Sequence, residues 1–133
     1  MSAVAAPIAA PDWTDAIRKE MLERCQSGQV GSVLVSETDR LRVWHLSIKP
    51  GERLPFHRHV NDYFWTVLTS GRAKSRHGDG SVREVSYRPG DTKHYRFGAG
   101  ESMFHDLENI GETELVFVTV ELLGGPNPVL PPA

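Results

Sequence analysis

Short runs in which apolar and polar residues alternate constrain the fold of this chain more than any other feature. In residues 30–123, apolar residues repeatedly occupy every second position, as Trp44, Leu46 and Ile48 do. Side chains two residues apart leave the same face of an extended strand, so the pattern predicts half-buried strands. Glycine-bearing turns, such as the one at 89–91, separate the runs at nearly even spacing. About eight such strands favour an all-β sandwich or barrel.

The rest of the chain predicts one helix and two irregular ends. Apolar residues at helical spacing predict a short helix over residues 12–27, with either Asp12 or Thr14 as its cap. Residues 1–11 are small and apolar, contain two prolines and lack a basic stretch. We interpret them as a flexible arm rather than a signal peptide. The tail, 124–133, is rich in proline and glycine and is expected to lack regular structure.

Composition excludes several classes of partner. The 133 residues carry a formal net charge of -2 and no basic cluster, which argues against binding to nucleic acid. No run is long and apolar enough for a membrane span, so we expect no membrane partner. Cys25 is the single cysteine, which excludes an internal disulfide and agrees with the cytoplasmic location that we expect.

Two histidines in the segment 51–71 are the strongest candidates for chemistry. His57 and His59 lie two positions apart, so both side chains leave the same face of a strand. Neutral imidazole is the commonest metal ligand in proteins. Two imidazoles on one face provide two-thirds of a facial metal site, and the third ligand must come from elsewhere in the chain.

The order of residues in this segment resembles the first conserved motif of the cupin superfamily. A glycine, five residues, His57, one residue, His59 and, after a hydrophobic run, a second glycine follow that motif. The motif also contains a glutamate ligand, whose position falls here on Tyr63 or Phe64, and neither is a carboxylate. The resemblance implies a single cupin-type jelly-roll β-barrel with a short N-terminal helix, in one domain over residues 12–123.

A later segment resembles the second cupin motif, in which a glycine turn leads to a histidine and, after three residues, an asparagine. His105 and Asn109 have this spacing. The proline of the turn is absent, and four residues separate Gly100 from the histidine where the family usually has two. The resemblance makes His105 the third metal ligand. If His105 faces inward, strand alternation sends Asp106 and Glu108 outward, which makes them poor ligand candidates.

Three histidine ligands without a carboxylate favour a divalent first-row metal such as iron, zinc, nickel or copper. Such a metal would keep its full charge and two or three open positions, which favours an anionic or bidentate oxygen ligand. Tyr63 and Asn109 are the candidates to orient a substrate. Asp62 is the nearest acid in sequence and could serve as an outer partner or a distant fourth ligand.

The other histidines and the large aromatic residues have simpler interpretations. We expect His45 and His77 to be surface or packing residues, whereas His94 could face either the solvent or the cavity. Six aromatic residues are expected to form the core or the cavity wall: Trp44, Phe56, Phe64, Trp65, Phe104 and Phe117.

Two classes of function follow from these residues and this resemblance. The first is a metal-dependent oxygenase acting on a small organic acid or diketone-like substrate, because the ligand positions resemble those of three-histidine thiol and diketone dioxygenases. The sequence from His57 to Tyr63 is also similar to small cupins grouped with β-alanine degradation proteins. The alternatives are a non-catalytic small-molecule-binding module and a metal-dependent isomerase or hydrolase. The resemblance also implies a homodimer, with strand 30–36 or the N-terminal helix at the contact.

Overall fold

The computed structural model describes residues 12–132, which form one short helix and nine strands. The helix is α1 (Asp15–Glu23). The strands are β1 (Val33–Glu37), β2 (Leu41–Ile48), β3 (Arg53–His59), β4 (Asp62–Val67), β5 (Gly71–Arg76), β6 (Val82–Tyr87), β7 (Thr92–Tyr95), β8 (Met103–Asn109) and β9 (Leu115–Leu122). The predicted all-β class with one short N-terminal helix is confirmed.

The strands form two facing antiparallel sheets in a jelly-roll arrangement. One sheet has five strands in the order β1-β2-β9-β4-β7, and the other has four in the order β3-β8-β5-β6. The chain crosses repeatedly from one sheet to the other, as it does from β2 to β3 and from β3 to β4. Within residues 12–132 no strand ladder joins the two sheets, so the barrel is not closed by hydrogen bonds along the edges β6 and β7.

The hydrophobic core fills one end of the space between the sheets. Leu46 and Ile48 of β2 point into it, as the alternation predicts, and they lie opposite Phe117 and Leu115 of β9. Leu54 joins them from the facing sheet. The other end of the same space carries polar side chains, and the candidate site lies there.

The helix is shorter than the predicted segment 12–27. Thr14 is its cap, and the hydroxyl oxygen accepts a hydrogen bond from the Ile17 N–H at 3.1 Å. The helix ends at Glu23. The side chain of the next residue, Arg24, donates a hydrogen bond from Nε to the carbonyl oxygen of Phe56 at 2.8 Å. This contact fastens the end of α1 to β3, on the outer face of the four-stranded sheet.

The edge strand β1 exposes its apolar residues. Val33 is 56% exposed and Val35 is 44% exposed. The pairing of β1 with β2 shifts register between Leu34 and Ser36, and α1 packs on the other sheet. The two segments expected at a dimer contact, strand 30–36 and the helix, therefore lie on different sheets.

The C-terminal tail has no regular structure over 124–132, yet hydrogen bonds fix its path. The side-chain amide of Asn127 donates to the carbonyls of Val60 and Gly98. The N–H of Gly28 donates to the carbonyl of Pro131 at 2.8 Å. The tail thus connects the loops at one end of the jelly roll. The flexible arm expected at 1–11 lies outside the described residues.

A buried ionic cluster joins α1 to the outer face of the four-stranded sheet. Asp106 points away from the space between the sheets, as expected, but it is fully buried rather than solvated. Its carboxylate accepts hydrogen bonds from Arg53 at 3.0 Å and from Arg76 at 2.9 Å. Arg53 in turn binds Glu20 of α1 at 2.7 Å, and Arg76 binds Glu108 at 2.7 Å.

None of the helices formed by residues 12–132 has the length and apolar character needed to cross a membrane.

Candidate metal centre

The structure brings His57, His59 and His105 together at the polar end of the space between the sheets. His57 and His59 belong to β3, and His105 belongs to the adjacent strand β8, directly opposite His57 in the ladder. One ring nitrogen from each histidine lies within 4.8 Å of those of the other two. Three imidazoles on neighbouring strands of one sheet therefore form a compact donor set of the predicted facial kind.

A β-bulge in β3 turns these histidines inward. The register against β8 shifts by one residue between Leu54 and His57, which leaves one additional residue in β3. Strict alternation from the inward Leu54 would place Phe56, not His57, on the inner face. The bulge reverses the alternation, so His57 and His59 face inward and Phe56 is also buried. Pro55 occupies the bulge, which agrees with the confinement of proline to irregular strand positions.

Hydrogen bonds fix the tautomer and orientation of two of the three rings. Nδ1 of His57 lies 2.8 Å from the carbonyl oxygen of Pro55, which can only accept a hydrogen bond. Nδ1 of His105 lies 2.9 Å from the hydroxyl of Ser75, and that hydroxyl donates to the carbonyl of Asp106. Both Nδ1 atoms must therefore carry the proton, which leaves a lone pair on Nε2 of each ring for a ligand.

His59 is held by stacking and by a hydrogen-bonding contact with His105. Its ring lies parallel to that of Tyr63, with the centroids 4.0 Å apart. Its Nε2 is 3.2 Å from Nε2 of His105, and its Nδ1 is a buried atom without a partner among the described residues. Three ring nitrogens within 4.8 Å of one another are a donor set that fits a divalent first-row cation.

Burial keeps the three imidazoles neutral. It lowers the pKa of His57 to about 4 and the pKa of His59 and of His105 well below its usual value. For His59 and His105, repulsion from the neighbouring imidazoles lowers the pKa further. All three side chains are therefore neutral at neutral pH, the state in which one ring nitrogen of an imidazole can bind a metal.

Acidification is expected to destabilise the metal-free protein between about pH 6.5 and pH 4. Below about pH 6.5 the histidines of the unfolded chain bind protons, while the buried rings of the folded chain do not. The free energy of unfolding therefore decreases as the pH is lowered. His57 alone, with its pKa lowered from 6.5 to about 4, accounts for about 3 kcal/mol over this range. Urea unfolding of chelator-treated protein at several pH values measures this. A free energy of unfolding that is constant from pH 7 to 5 would contradict the expectation.

The position at which the first cupin motif has a glutamate is occupied here by an aromatic side chain. Tyr63 faces inward, is 3% exposed, and stacks between His59 and Tyr95. Burial raises the pKa of Tyr63 well above its usual value, so the phenol is not an anionic ligand. The neighbouring Phe64 lies on the outer face of the five-stranded sheet, where it contacts the exposed His94. His94 is therefore not in the cavity.

The structure does not bring Asn109 or Asp62 to the histidines. The side-chain amide of Asn109 is buried and donates to the carbonyls of Ile48 and Thr113, both at 2.8 Å. Asn109 thus holds together the chain segments around the last turn. The carboxylate of Asp62 accepts the N–H of Phe97 at 2.8 Å, and the alternation of β4 turns Asp62 away from the face that carries Tyr63.

His77 belongs to the site, although its place in a glycine-rich turn suggested a surface or packing role. It forms a bridge with His105, the two ring centroids are 5.3 Å apart, and it lines the cavity. Ser75, which orients His105, was not singled out either. Alternation from the buried Ala73 through Ser75 to His77 is the signal that could have found both. His45 is exposed, as expected.

A cavity of about 230 Å³ adjoins the three histidines. Its walls are largely aromatic and aliphatic, and it includes Ser75, Thr119 and two basic residues, Arg83 and Lys93. The aromatic part of the wall consists of Tyr63, Trp65, Tyr87, Tyr95 and Phe117. The site therefore combines a cation-binding donor set with room for a small organic molecule.

Comparison with solved structures identifies the fold. A cupin domain from Bordetella pertussis Tohama I aligns with a TM-score of 0.61 and 23% identity over 74% of this chain and 97% of that chain. A conserved protein with a double-stranded β-helix domain from Klebsiella pneumoniae aligns with a TM-score of 0.55 and 27% identity, over 71% of this chain and 76% of that chain. The protein described here has the cupin fold. No family model matches its sequence.

One curated protein also shares sequence with the chain. The oxalate decarboxylase OxdC of Bacillus subtilis (strain 168) is 32% identical over 77 residues, which are 56% of this chain and 19% of that protein. The match thus spans about a fifth of the relative's length. Together with the cupin fold, the three-histidine cluster indicates a divalent metal site.

Proposed function

We propose that this protein is a metal-dependent enzyme that acts on a small organic acid or diketone-like substrate, with an oxygenase as the leading form. The observation that carries the proposal is the convergence of His57, His59 and His105 as neutral, buried imidazoles at the wall of a cavity. Hydrogen bonds that fix two of the rings with Nε2 free are typical of metal ligands and their outer partners.

The chain's own residues account for the choice of substrate class. His57, His59 and His105 are neutral, and Tyr63 stands where a carboxylate ligand would lower the net charge of the centre. The site therefore favours an anionic or bidentate oxygen donor. Aromatic side chains line much of the space beside the rings and would pack against the apolar part of a small substrate. When bound, a redox-active cation would polarise the chelated substrate and allow electron transfer to dioxygen, whereas zinc would supply polarisation alone.

A specific observation favours a second candidate reaction. The name of the curated relative says that it decarboxylates oxalate, which is a small, bidentate acid. The matched segment covers more than half of this chain, so decarboxylation of a small acid at the same three histidines is the alternative to oxygenation. Both reactions need the same donor set, and they differ in whether dioxygen is consumed.

The test begins with elemental analysis of freshly purified protein, for which we expect about one first-row metal ion per chain. Chelator-treated protein is then reloaded separately with iron, zinc, nickel or copper and supplied with small mono- and dicarboxylic acids. Oxygen uptake supports the oxygenase, and carbon dioxide release without oxygen uptake supports the decarboxylase.

Two results would overturn the proposal. One is metal well below stoichiometry together with no uptake during reloading. The other is thermal stabilisation by an acid that persists unchanged after chelator treatment, because this identifies a non-catalytic binding module. A metal-dependent isomerase or hydrolase would consume no oxygen and release no carbon dioxide, and it would also exclude both proposed reactions.

A further inference from the structure

The cavity reaches solvent between two unpaired sheet edges, one from each sheet. Strand β6 is an edge of the four-stranded sheet and β7 is an edge of the five-stranded sheet. Each contributes an exposed basic residue to the cavity lining, Arg83 from β6 and Lys93 from β7. We call these two residues the cationic mouth.

Strand register places both members of the cationic mouth on the inner faces of their sheets. Arg83 lies directly opposite Ser75 across β5 and β6, and Lys93 lies directly opposite Trp65 across β4 and β7. Ser75 and Trp65 both line the cavity. Residues opposite one another in a ladder have their side chains on the same face of the sheet. The side chains of Arg83 and Lys93 therefore point toward the cavity, one from each sheet.

Neither charge forms a salt bridge in the described part of the chain, although Asp79 is close enough to interact electrostatically with Arg83. Among residues 12–132, no carboxylate lies within 4.0 Å of the Arg83 guanidinium or the Lys93 ammonium. The Lys93 nitrogen lies 5.0 Å from the centre of the Tyr95 ring, a cation–π contact that leaves its hydrogen-bonding capacity free. In a chain of net charge -2, two unpaired cations beside one cavity create a local field that attracts anions.

The mouth and the histidines are far enough apart to bind two different groups of one molecule. His105 is on β8, and Arg83 is on β6, two strands away. Neighbouring strands are about 4.8 Å apart, so roughly 10 Å separates the two backbone positions. Ser75 on the intervening strand β5 lies between them, and the apolar side chains of Leu107, Tyr87 and Val85 also line the cavity.

We propose that Arg83 and Lys93 determine specificity by binding the distal carboxylate of a dicarboxylic acid whose other end reaches the three histidines. The substrate class is then an acid with an apolar middle, of the length of succinate, glutarate or adipate. Oxalate is too short to span the two ends. This inference rests on the proposed function for the role of the three histidines at the inner end of the cavity. The role of Arg83 and Lys93 at the outer end is argued from separate observations.

The test uses zinc-loaded protein and measures the binding of three probes by calorimetry: glutarate, oxalate and the monoacid pentanoate. The variants are Arg83→Gln and Lys93→Gln, and the matched control is Arg72→Gln, which removes an exposed positive charge from β5. Each mouth variant should bind glutarate roughly tenfold more weakly, which corresponds to one charge-assisted contact. Binding of oxalate and pentanoate should change less than twofold, and the control should bind all three probes as the wild type does.

Several other outcomes would overturn the inference. Equal weakening of glutarate and oxalate would show only long-range attraction and would overturn the two-point assignment. Unchanged glutarate binding would also overturn it, leaving the basic residues a role in preventing edge-to-edge aggregation. Zinc content, measured in parallel, separates the two proposals. Full zinc without glutarate binding overturns this inference alone. If the wild type takes up no zinc, the proposed function fails, and the glutarate-to-pentanoate comparison still decides the role of the mouth.

Discussion

Replacing His57 with alanine is expected to abolish stable metal binding. The ring of His57 is fixed by the Pro55 carbonyl with one nitrogen free, so its loss leaves a two-histidine site with a vacant position. Loss of an outer hydrogen-bonding partner alone typically weakens metal affinity 10- to 100-fold, so loss of a ligand should exceed about 100-fold. Competition with a chromophoric chelator measures the affinity, and elemental analysis after gel filtration measures the retained metal.

The matched control for this experiment is His94→Ala. His94 is exposed on the outer face of the five-stranded sheet and contacts Phe64 rather than the cluster. Its loss should leave the metal content at the wild-type level. A His57→Ala protein that folds, as judged by circular dichroism, and still retains one metal ion per chain would contradict a three-histidine centre.

Replacing Asp106 with alanine is expected to cost about 3–5 kcal/mol in the free energy of unfolding. The carboxylate of Asp106 is fully buried between Arg53 and Arg76, and it also accepts the backbone N–H of Arg76 at 2.7 Å. Its removal leaves guanidinium groups in a poorly solvated region without their central counter-charge. Denaturant unfolding, monitored by tryptophan fluorescence, measures the change.

An exposed ion pair provides the control for this second prediction. Arg72 and Glu84 are in contact at 3.3 Å, and both side chains are more than half exposed. Such pairs contribute little, so Glu84→Ala should cost less than about 1 kcal/mol. If Asp106→Ala and Glu84→Ala cost the same, the buried cluster would not stabilise the junction between α1 and the sheet.

The fold was predictable because side-chain alternation and turn residues act locally. Trp44, Leu46 and Ile48 are all buried, and residues 30–123 form nine short strands where about eight are expected. Burial predicted from the alternation was wrong for β1, which lies at the edge of the five-stranded sheet. Val33 and Val35 of the edge strand β1 are exposed, because no other described residue packs over that face of the strand, whereas Leu34 between them is half-buried.

Part of the candidate site was predictable from spacing and resemblance, and part depended on tertiary contacts. The grouping of His57 and His59 with His105 follows the two motifs, and the structure places the three rings together. The bulge that turns His57 inward is a property of the pairing with β8, which a single strand does not display. His77 reaches the site by the same kind of cross-strand pairing.

The burial of Asp106 shows a different limit of sequence reasoning. Alternation correctly placed it on the outer face of its sheet, and an aspartate on an outer face is usually solvated. Whether that face is covered depends on where α1 packs, and the packing of a helix is set by contacts between distant segments. The sequence of β8 alone therefore does not indicate that α1 covers Asp106.

All three candidate ligands come from one sheet, whereas Tyr63, Trp65 and Lys93 approach the cavity from the other. Tyr63 is an exception, because its ring stacks on His59 and a change there would reach the donor set. Trp65 and Lys93 line the cavity without stacking on any of the three histidines, so substituting them would alter the cavity wall and leave every candidate ligand in place. A designer could therefore vary Trp65 and Lys93 while keeping Tyr63, β3 and β8 unchanged.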